Sequence, residues 1–304
     1  MDEETLQFWR SIAIKMMEQV EKAIFPLIGK AEAGTVVQIG ADGTPSKLID
    51  LIAEDEVIEV LKETKKPIIL ISEEIGTIKI NYGEDYLDIE ELRHEPNKNI
   101  NSDEFYSSDE SQIIFLVDPL DGTSNAVKNI PSFGISIAIA EHKPGDGLPS
   151  LNDVQMGFIK NFATGDIYET IKGKYALVNG ESTNPSNITE LDKASLGAFI
   201  YGTKFTKIHK IVEHIRRMRI LGSVAIELAY VGIGKYDAFL DIRGNIRIMD
   251  IAAAQLFVKE SGAIISDNKG NLVNGTLTLD SRTSIVATGT DELHDKILEL
   301  MDVI

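Results

Sequence analysis

The chain has no cysteine in its 304 residues. Disulfides, thiolate catalysis and thiolate metal sites are therefore excluded, and the simplest compartment for such a chain is the cytoplasm. No apolar run approaches the roughly 18 residues that a membrane span requires. A signal-peptide pattern is also missing: Glu3 and Glu4 stand where a basic region belongs, and Arg10, Lys15 and Glu18 break the apolar residues that follow. Basic residues are scarce. Lys and Arg number 30 against 48 Asp and Glu, and the formal net charge of −18 argues against nucleic acid and anionic membranes as partners. Ten acids against two bases fall in the segment 81–112, interleaved with Asn and Ser, and this reads as an exposed acidic insertion.

With 43% hydrophobic residues, the chain can bury a sizeable core as one large domain or as two lobes sharing an interface. Residues 4–25 place Leu6, Trp9, Ile12, Met16, Val20 and Ala23 on one stripe at spacings of three and four, stopped by Pro26, which predicts an amphipathic helix. Ser46 is the expected cap of a second helix running to about Glu63. Strand patterns follow at 67–72, 112–117, 133–140, 154–160, 166–171, 195–201, 236–241, 263–266 and 283–288. Helix patterns follow from Ser124 and at about 204–217, 223–233, 250–261 and 291–302. This alternation predicts a layered α/β (α+β) architecture. The polar stretch near 180–192 marks a border between a first lobe of about 1–185 and a second of about 190–304, within one domain spanning 1–304.

The chemistry concentrates at Val117-Asp118-Pro119-Leu120-Asp121-Gly122-Thr123-Ser124, directly after the apolar run Ile113–Leu116. Such a run ended by Asp-Pro reads as a buried strand that stops where its side chains become useful, since proline cannot continue the ladder. Asp118, Asp121 and the Leu120 carbonyl offer hard oxygen ligands of the kind Mg²⁺ takes when a phosphate completes its shell. An ordinary Asp-Gly surface turn is the alternative. Glu73-Glu74 likewise follow a strand, Pro67–Ser72, and Asp250 precedes the helical run Ile251–Leu256, where it can serve as a helix cap. Strand ends and helix starts are where α/β proteins gather ligand-binding residues.

Together these residues resemble the magnesium-dependent, lithium-sensitive phosphomonoesterase superfamily of inositol monophosphatases and fructose-1,6-bisphosphatases, most of all its archaeal dual-activity type. The family pattern Asp-Pro-(Ile/Leu)-Asp-Gly-(Thr/Ser) stands at Asp118–Thr123. The Glu-Glu pair stands at Glu73-Glu74, and Asp-x-x-Ala/Ser-Glu at Asp50–Glu54. Met249-Asp250-Ile251-Ala252 is similar to the late Val-Asp-Ile-Ala of an archaeal type. The resemblance implies a layered αβαβα sugar-phosphatase fold, with two lobes around a site of two to three Mg²⁺ ions for which Mn²⁺ can substitute. It assigns Glu73, Asp118 and the Leu120 carbonyl to one ion, Asp118, Asp121 and Asp250 to a second, and Glu73 and Asp50 to a labile third. Asp42 or Thr44, on the loop before the early helix, would meet the third ion. Thr123, facing Asp50, would orient and deprotonate the attacking water. Gly122 and Thr123 amides would contact the phosphate. The implied assembly is a homodimer.

Specificity is expected from the second lobe. By the same resemblance, Arg216–Ala225 is the strand-turn-helix that contacts the ring, with Ser223 and the Val224 amide at the ligand, and Asp241 stands where inositol-preferring relatives bind hydroxyls with Glu. The segment Asp241–Arg247 is two residues longer and carries two arginines. Arg219 and Arg243 are expected to hold a distal phosphate, as arginine forks suit that group; a solvated basic turn is the alternative. The expected reaction is hydrolysis of small sugar or inositol phosphate esters, fructose 1,6-bisphosphate and myo-inositol 1-phosphate among them. Two rival functions stand beside it: cleavage of 3′-phosphoadenosine 5′-phosphate, and non-catalytic phosphate or calcium binding.

Overall fold

The computed structural model describes residues 1–81, 110–143, 145, 147–203 and 208–301. The acidic insertion expected at 81–112 lies almost wholly outside the described residues.

The first helix, α1 (Glu3–Ile24), starts where Asp2 accepts the Thr5 amide at 2.8 Å, and it buries Leu6, Trp9, Ala13, Met16, Met17, Val20 and Ile24. That stripe is rotated slightly from the expected one, since Ile12 and Ala23 are only half-buried. A short hairpin, β1 (Val36–Ile39) and β2 (Pro45–Lys47), leads directly into α2 (Leu48–Glu63). Ser46 is therefore not the helix cap. It lies in β2, buried, with its hydroxyl on Glu74, and Lys47 takes the cap position while its amide donates to Asp50 at 3.0 Å.

An eight-stranded mixed sheet follows, from β3 (Ile68–Ser72), β4 (Gly76–Ile80), β5 (Gln112–Asp121), β6 (Gly134–His142), β7 (Val154–Asn161), β8 (Ile167–Ile171), β9 (Tyr175–Val178) and β10 (Glu181–Ser182). Its order is β10-β9-β8-β7-β6-β5-β3-β4, with α3 (Thr123–Lys128) between β5 and β6. The central strands are buried on both faces, which is why they read as continuous Ile/Val/Phe runs. The second half builds a five-stranded sheet of β11 (Ser195–Ala198), β12 (Arg217–Arg219), β13 (Ala238–Arg247), β14 (Ile264–Ser266) and β15 (Arg282–Thr288), in the order β12-β11-β13-β15-β14. Its helices are α4 (His209–His214), α5 (Val224–Gly232), α6 (Ile248–Glu260) and α7 (Asp291–Leu300). The helix expected over 204–217 thus ends at His214 among the described residues, and Arg217 already belongs to the edge strand β12.

Three apolar cores separate five layers. One lies between α1/α2 and a face of the large sheet, a second between that sheet's other face, α5/α6 and the small sheet, and a third between the small sheet and α4/α7. Helices α5 and α6 are sandwiched between sheets. This explains why α6 buries residues all round, from Ile248 to Val258, rather than along one stripe.

Candidate active site

The strand expected to stop at Asp118 does not stop there. Strand β5 continues to Asp121, because a bulge absorbs Pro119: Asp118 pairs with Ser136 and Asp121 with Gly134, three residues against two. Proline is tolerated in a strand at such an irregularity. The Leu120 amide donates to Asp118 Oδ1 at 3.1 Å. Gly122 then turns the chain at φ +87°, and a Cβ there would lie 2.7 Å from the Ser132 carbonyl oxygen. Only glycine satisfies both demands.

The parallel register of β3 on β5 pairs Ser72 with Val117, which sets Glu73 beside Asp118. From the other side, Asp50 on the first turn of α2 accepts the Thr123 hydroxyl at 2.7 Å; that hydroxyl also lies 3.1 Å from the Leu120 carbonyl oxygen. Asp121 is fixed from the second half of the chain. Ser223 Oγ donates to its Oδ2 at 2.7 Å and the Ala225 amide at 2.8 Å, with the Val224 amide also directed toward it. The turn that carries Ser223 is itself gripped: the Leu221 and Gly222 amides donate to Glu227 at 3.0 and 2.8 Å, and Asn125 Nδ2 donates to the Leu221 carbonyl at 2.7 Å.

Asp250 sits in the first turn of α6, not at its cap, which is Arg247. The Arg247 side chain reaches into the site. Its Nε lies 2.9 Å from both Asp250 oxygens, Nη1 is 2.6 Å from Asp42, and Nη2 is 2.8 Å from Glu73. Thr44, the other loop residue considered for a third ion, donates to Asp42 Oδ1 through its amide and its hydroxyl, both at 2.8 Å.

These groups line an open cleft of ≈ 550 Å³, where Asp50, Glu73, Glu74, Asp118, Asp121 and Asp250 face the two bases Lys47 and Arg247. Concentrated negative charge at low water exposure is costly, and the pKa values show it. Burial pushes the Glu73 carboxyl up to about 7, against the pull of Arg247. Burial takes Glu74 to about 8. Asp118 is raised well above the usual carboxylate range by burial, with Glu73, Asp121 and Asp250 adding to it. Asp121 reaches about 6, because burial outweighs the hydrogen bonds from Ser223 and Ala225. Burial raises Asp50 as well, opposed by Thr123.

The structure thus brings Asp50, Glu73, Asp118, Leu120, Asp121, Gly122, Thr123 and Asp250 into one cleft. Ser223 and Val224 stand behind Asp121 as its hydrogen-bond partners. Arg219, Asp241 and Arg243 do not line the cleft. The Asp241 carboxylate, buried, is taken by Arg243, whose Nε lies 2.9 and 3.0 Å from its two oxygens; the guanidinium also covers the Tyr201 ring at 4.1 Å. Arg219 lies 5.8 Å from the Tyr236 ring centre. The four residues Ile242–Asn245, which include Arg243, stand against Ser284 alone and form a bulge between the register pairs Asp241–Ile285 and Ile246–Thr283. Sequence reading missed Lys47, whose Nζ is 3.3 Å from Ser124 Oγ, and the role of Arg247. Arg247 and Asp250, three apart at a helix start, carried a local signal for their pairing.

The profile of the Inositol monophosphatase family matches residues 2–303. The chain belongs to the inositol monophosphatase family. A fructose-1,6-bisphosphatase/inositol-1-monophosphatase of Methanothermobacter thermautotrophicus is 50% identical over 304 residues, the whole of both chains. A bifunctional NADP phosphatase/NAD kinase of Methanocaldococcus jannaschii is 36% identical over 95% of this chain, which spans 50% of that protein. Among solved structures, a Pyrococcus horikoshii protein described as similar to inositol-1 monophosphatase superposes with a TM-score of 0.74 at 32% identity, over 96% of this chain and 98% of that one. The α/β fold is that of the inositol monophosphatases, and the protein is a phosphoric monoester hydrolase. No helix among the described residues is long and apolar enough to cross a membrane.

Proposed function

We propose that this phosphatase hydrolyses small sugar and inositol phosphates, fructose 1,6-bisphosphate and myo-inositol 1-phosphate among them, with Mg²⁺ bound in the carboxylate cleft. The observation that carries the reading is the Asp50–Thr123 hydrogen bond of 2.7 Å beside Glu73, Asp118, Asp121 and Asp250 in a single cleft.

The donor set fits the ion. Every candidate ligand is a hard oxygen, and burial, with neighbouring carboxylates adding to it, raises the pKa values of Glu73, Asp118 and Asp121, a cost that a divalent cation would offset. No group of three or more such side chains stands in metal-ligand geometry among the described residues, and Arg247 spans Asp250, Glu73 and Asp42. Glu73, Asp118, the Leu120 carbonyl, Asp121 and Asp250 would hold the metal. When bound, Mg²⁺ supplies charge neutralisation for the ester and acidifies its water.

The chain's own groups do the rest. Thr123 Oγ1, held by Asp50, would accept a proton from an attacking water while passing its own to Asp50, whose raised pKa suits a base. Ser223 and Ala225 hold Asp121 in one orientation, so the second lobe is tied to the reacting end of the cleft. Lys47, next to Ser124, adds positive charge to the cleft. Strand β12 ends at Arg219, three residues before Gly222 of the cleft, which supports sugar recognition from that edge. The relative named as a bifunctional NADP phosphatase/NAD kinase supports a second reading, removal of the 2′-phosphate of NADP⁺.

Phosphate release from fructose 1,6-bisphosphate, inositol 1-phosphate, NADP⁺ and 3′-phosphoadenosine 5′-phosphate, with Mg²⁺ or with EDTA, tests both readings. Turnover of the first two that stops in EDTA is expected. Metal-independent turnover would overturn the metal reading, and turnover of a nucleotide alone would overturn the substrate.

A further inference from the structure

One guanidinium joins three carboxylates from three separate segments: Asp250 on α6, Glu73 in the β3–β4 turn and Asp42 in the loop before β2. Few arginines are committed so completely. The Arg247 side chain is 16% exposed, its planar fork of donors faces acids on three sides, and neither Lys47 nor any other base lining the cleft shares them. Two of the three acids, Glu73 and Asp250, are also among the oxygens that would hold Mg²⁺. The same carboxylate oxygens cannot be fully engaged by both cations.

We infer that Arg247 is a built-in counter-cation, which holds the carboxylate cleft together without metal and which Mg²⁺ must displace from Glu73 and Asp250 in order to bind. The inference rests on the metal reading given above. Its physical basis is the asymmetry between making and breaking charge-assisted bonds. Clustered acids without any cation repel one another, so the arginine stabilises the empty site. The same contacts then oppose metal entry, because each must be surrendered as the ion arrives. The position of Arg247 suits such a role. It ends β13 and directly precedes α6, and the bulged part of β13 lies just before it. Asp42 lies outside the set that would hold the first two ions, so the displaced guanidinium keeps one partner in the loop while they bind.

The prediction runs in opposite directions for two measurements, which a merely structural arginine would not produce. Metal-stripped wild type, Arg247→Met and Arg247→Lys are compared by calorimetric titration with Mn²⁺ and by thermal melting in EDTA. Methionine keeps the length and removes the charge. Arg247→Met should melt lower than wild type in EDTA yet bind Mn²⁺ roughly ten- to a hundredfold more tightly, the range set by losing one charged hydrogen bond as a competitor. Arg247→Lys, with a point charge and no fork, should fall between. Equal or weaker Mn²⁺ binding by a folded Arg247→Met, or an unchanged melting temperature in EDTA, would overturn the inference. If Arg247→Met does not fold without metal, Arg247→Lys decides: binding no tighter than wild type overturns it. Failure of wild type and both variants to bind Mn²⁺ at millimolar concentration would overturn the metal reading itself, a different result from binding that ignores residue 247.

Discussion

Glu74 offers a quantitative test of the cleft's electrostatics that does not depend on catalysis. Its side chain is 6% exposed, accepts the Ser46 hydroxyl, and lies close to Glu73, Asp50 and Glu54. Burial raises its carboxyl from an ordinary 4.5 to about 8. The folded state therefore keeps a proton that the unfolded chain gives up above its ordinary pKa. Stability from this group is full below pH 4.5, falls as pH rises toward 8, and is level beyond it. At about 1.4 kcal/mol per pKa unit, the ceiling of the loss is ~5 kcal/mol. Relaxation and water entry around a buried charge lower this, and about 2 kcal/mol is the expected size. Glu74→Gln mimics the protonated acid and should remove the dependence. Urea unfolding of both proteins in EDTA at pH 5, 6.5 and 8 reads it directly. The variant should match wild type near pH 5 and exceed it by about 2 kcal/mol at pH 8. Parallel pH profiles, or a wild type that gains on the variant as pH rises, would refute the reasoning.

Other perturbations separate roles within the site. Thr123→Ala should lower kcat far more than it raises KM, because its hydroxyl, held by Asp50, would act on the attacking water; a defect confined to KM would make Thr123 a binding residue. Arg243→Ala is expected to destabilise the protein by about 3–5 kcal/mol, since it leaves the buried Asp241 carboxylate unpaired. The double variant Asp241→Asn/Arg243→Met avoids that penalty and should lose kcat/KM roughly ten- to a hundredfold on fructose 1,6-bisphosphate while sparing inositol 1-phosphate. Equal losses on both esters would return Arg243 to the scaffold.

Much of this arrangement could be read from sequence because its parts are contiguous. Asp118 to Thr123 is one stretch, and a strand end dictates where it points. The long buried strands β3, β5, β6 and β7 were legible for the same reason, being unbroken apolar runs. Polar and short strands were not. β4 alternates Thr and Lys with Ile, and β10 is two polar residues at a sheet edge, so neither shows the expected apolar run. Ser46 misled as a cap because Ser at helix starts is common, whereas here a tertiary partner, Glu74, claims its hydroxyl. Arg243, expected at a distal phosphate, stands two residues after Asp241 on the same strand. The period of two puts them on one face, and they pair. Arg247 depended on Asp42 and Glu73, more than 170 residues away in sequence, and no local pattern could supply that.

Crystals of the protein grown with Mn²⁺ would test the central claim most directly, through the anomalous scattering of the metal. The account predicts peaks about 2.0–2.2 Å from oxygens of Glu73, Asp118 and the Leu120 carbonyl, and of Asp118, Asp121 and Asp250, with the Arg247 guanidinium withdrawn from Glu73 and Asp250. Anomalous peaks confined to other surfaces, with the guanidinium still bridging Glu73 and Asp250 at saturating metal, would contradict it.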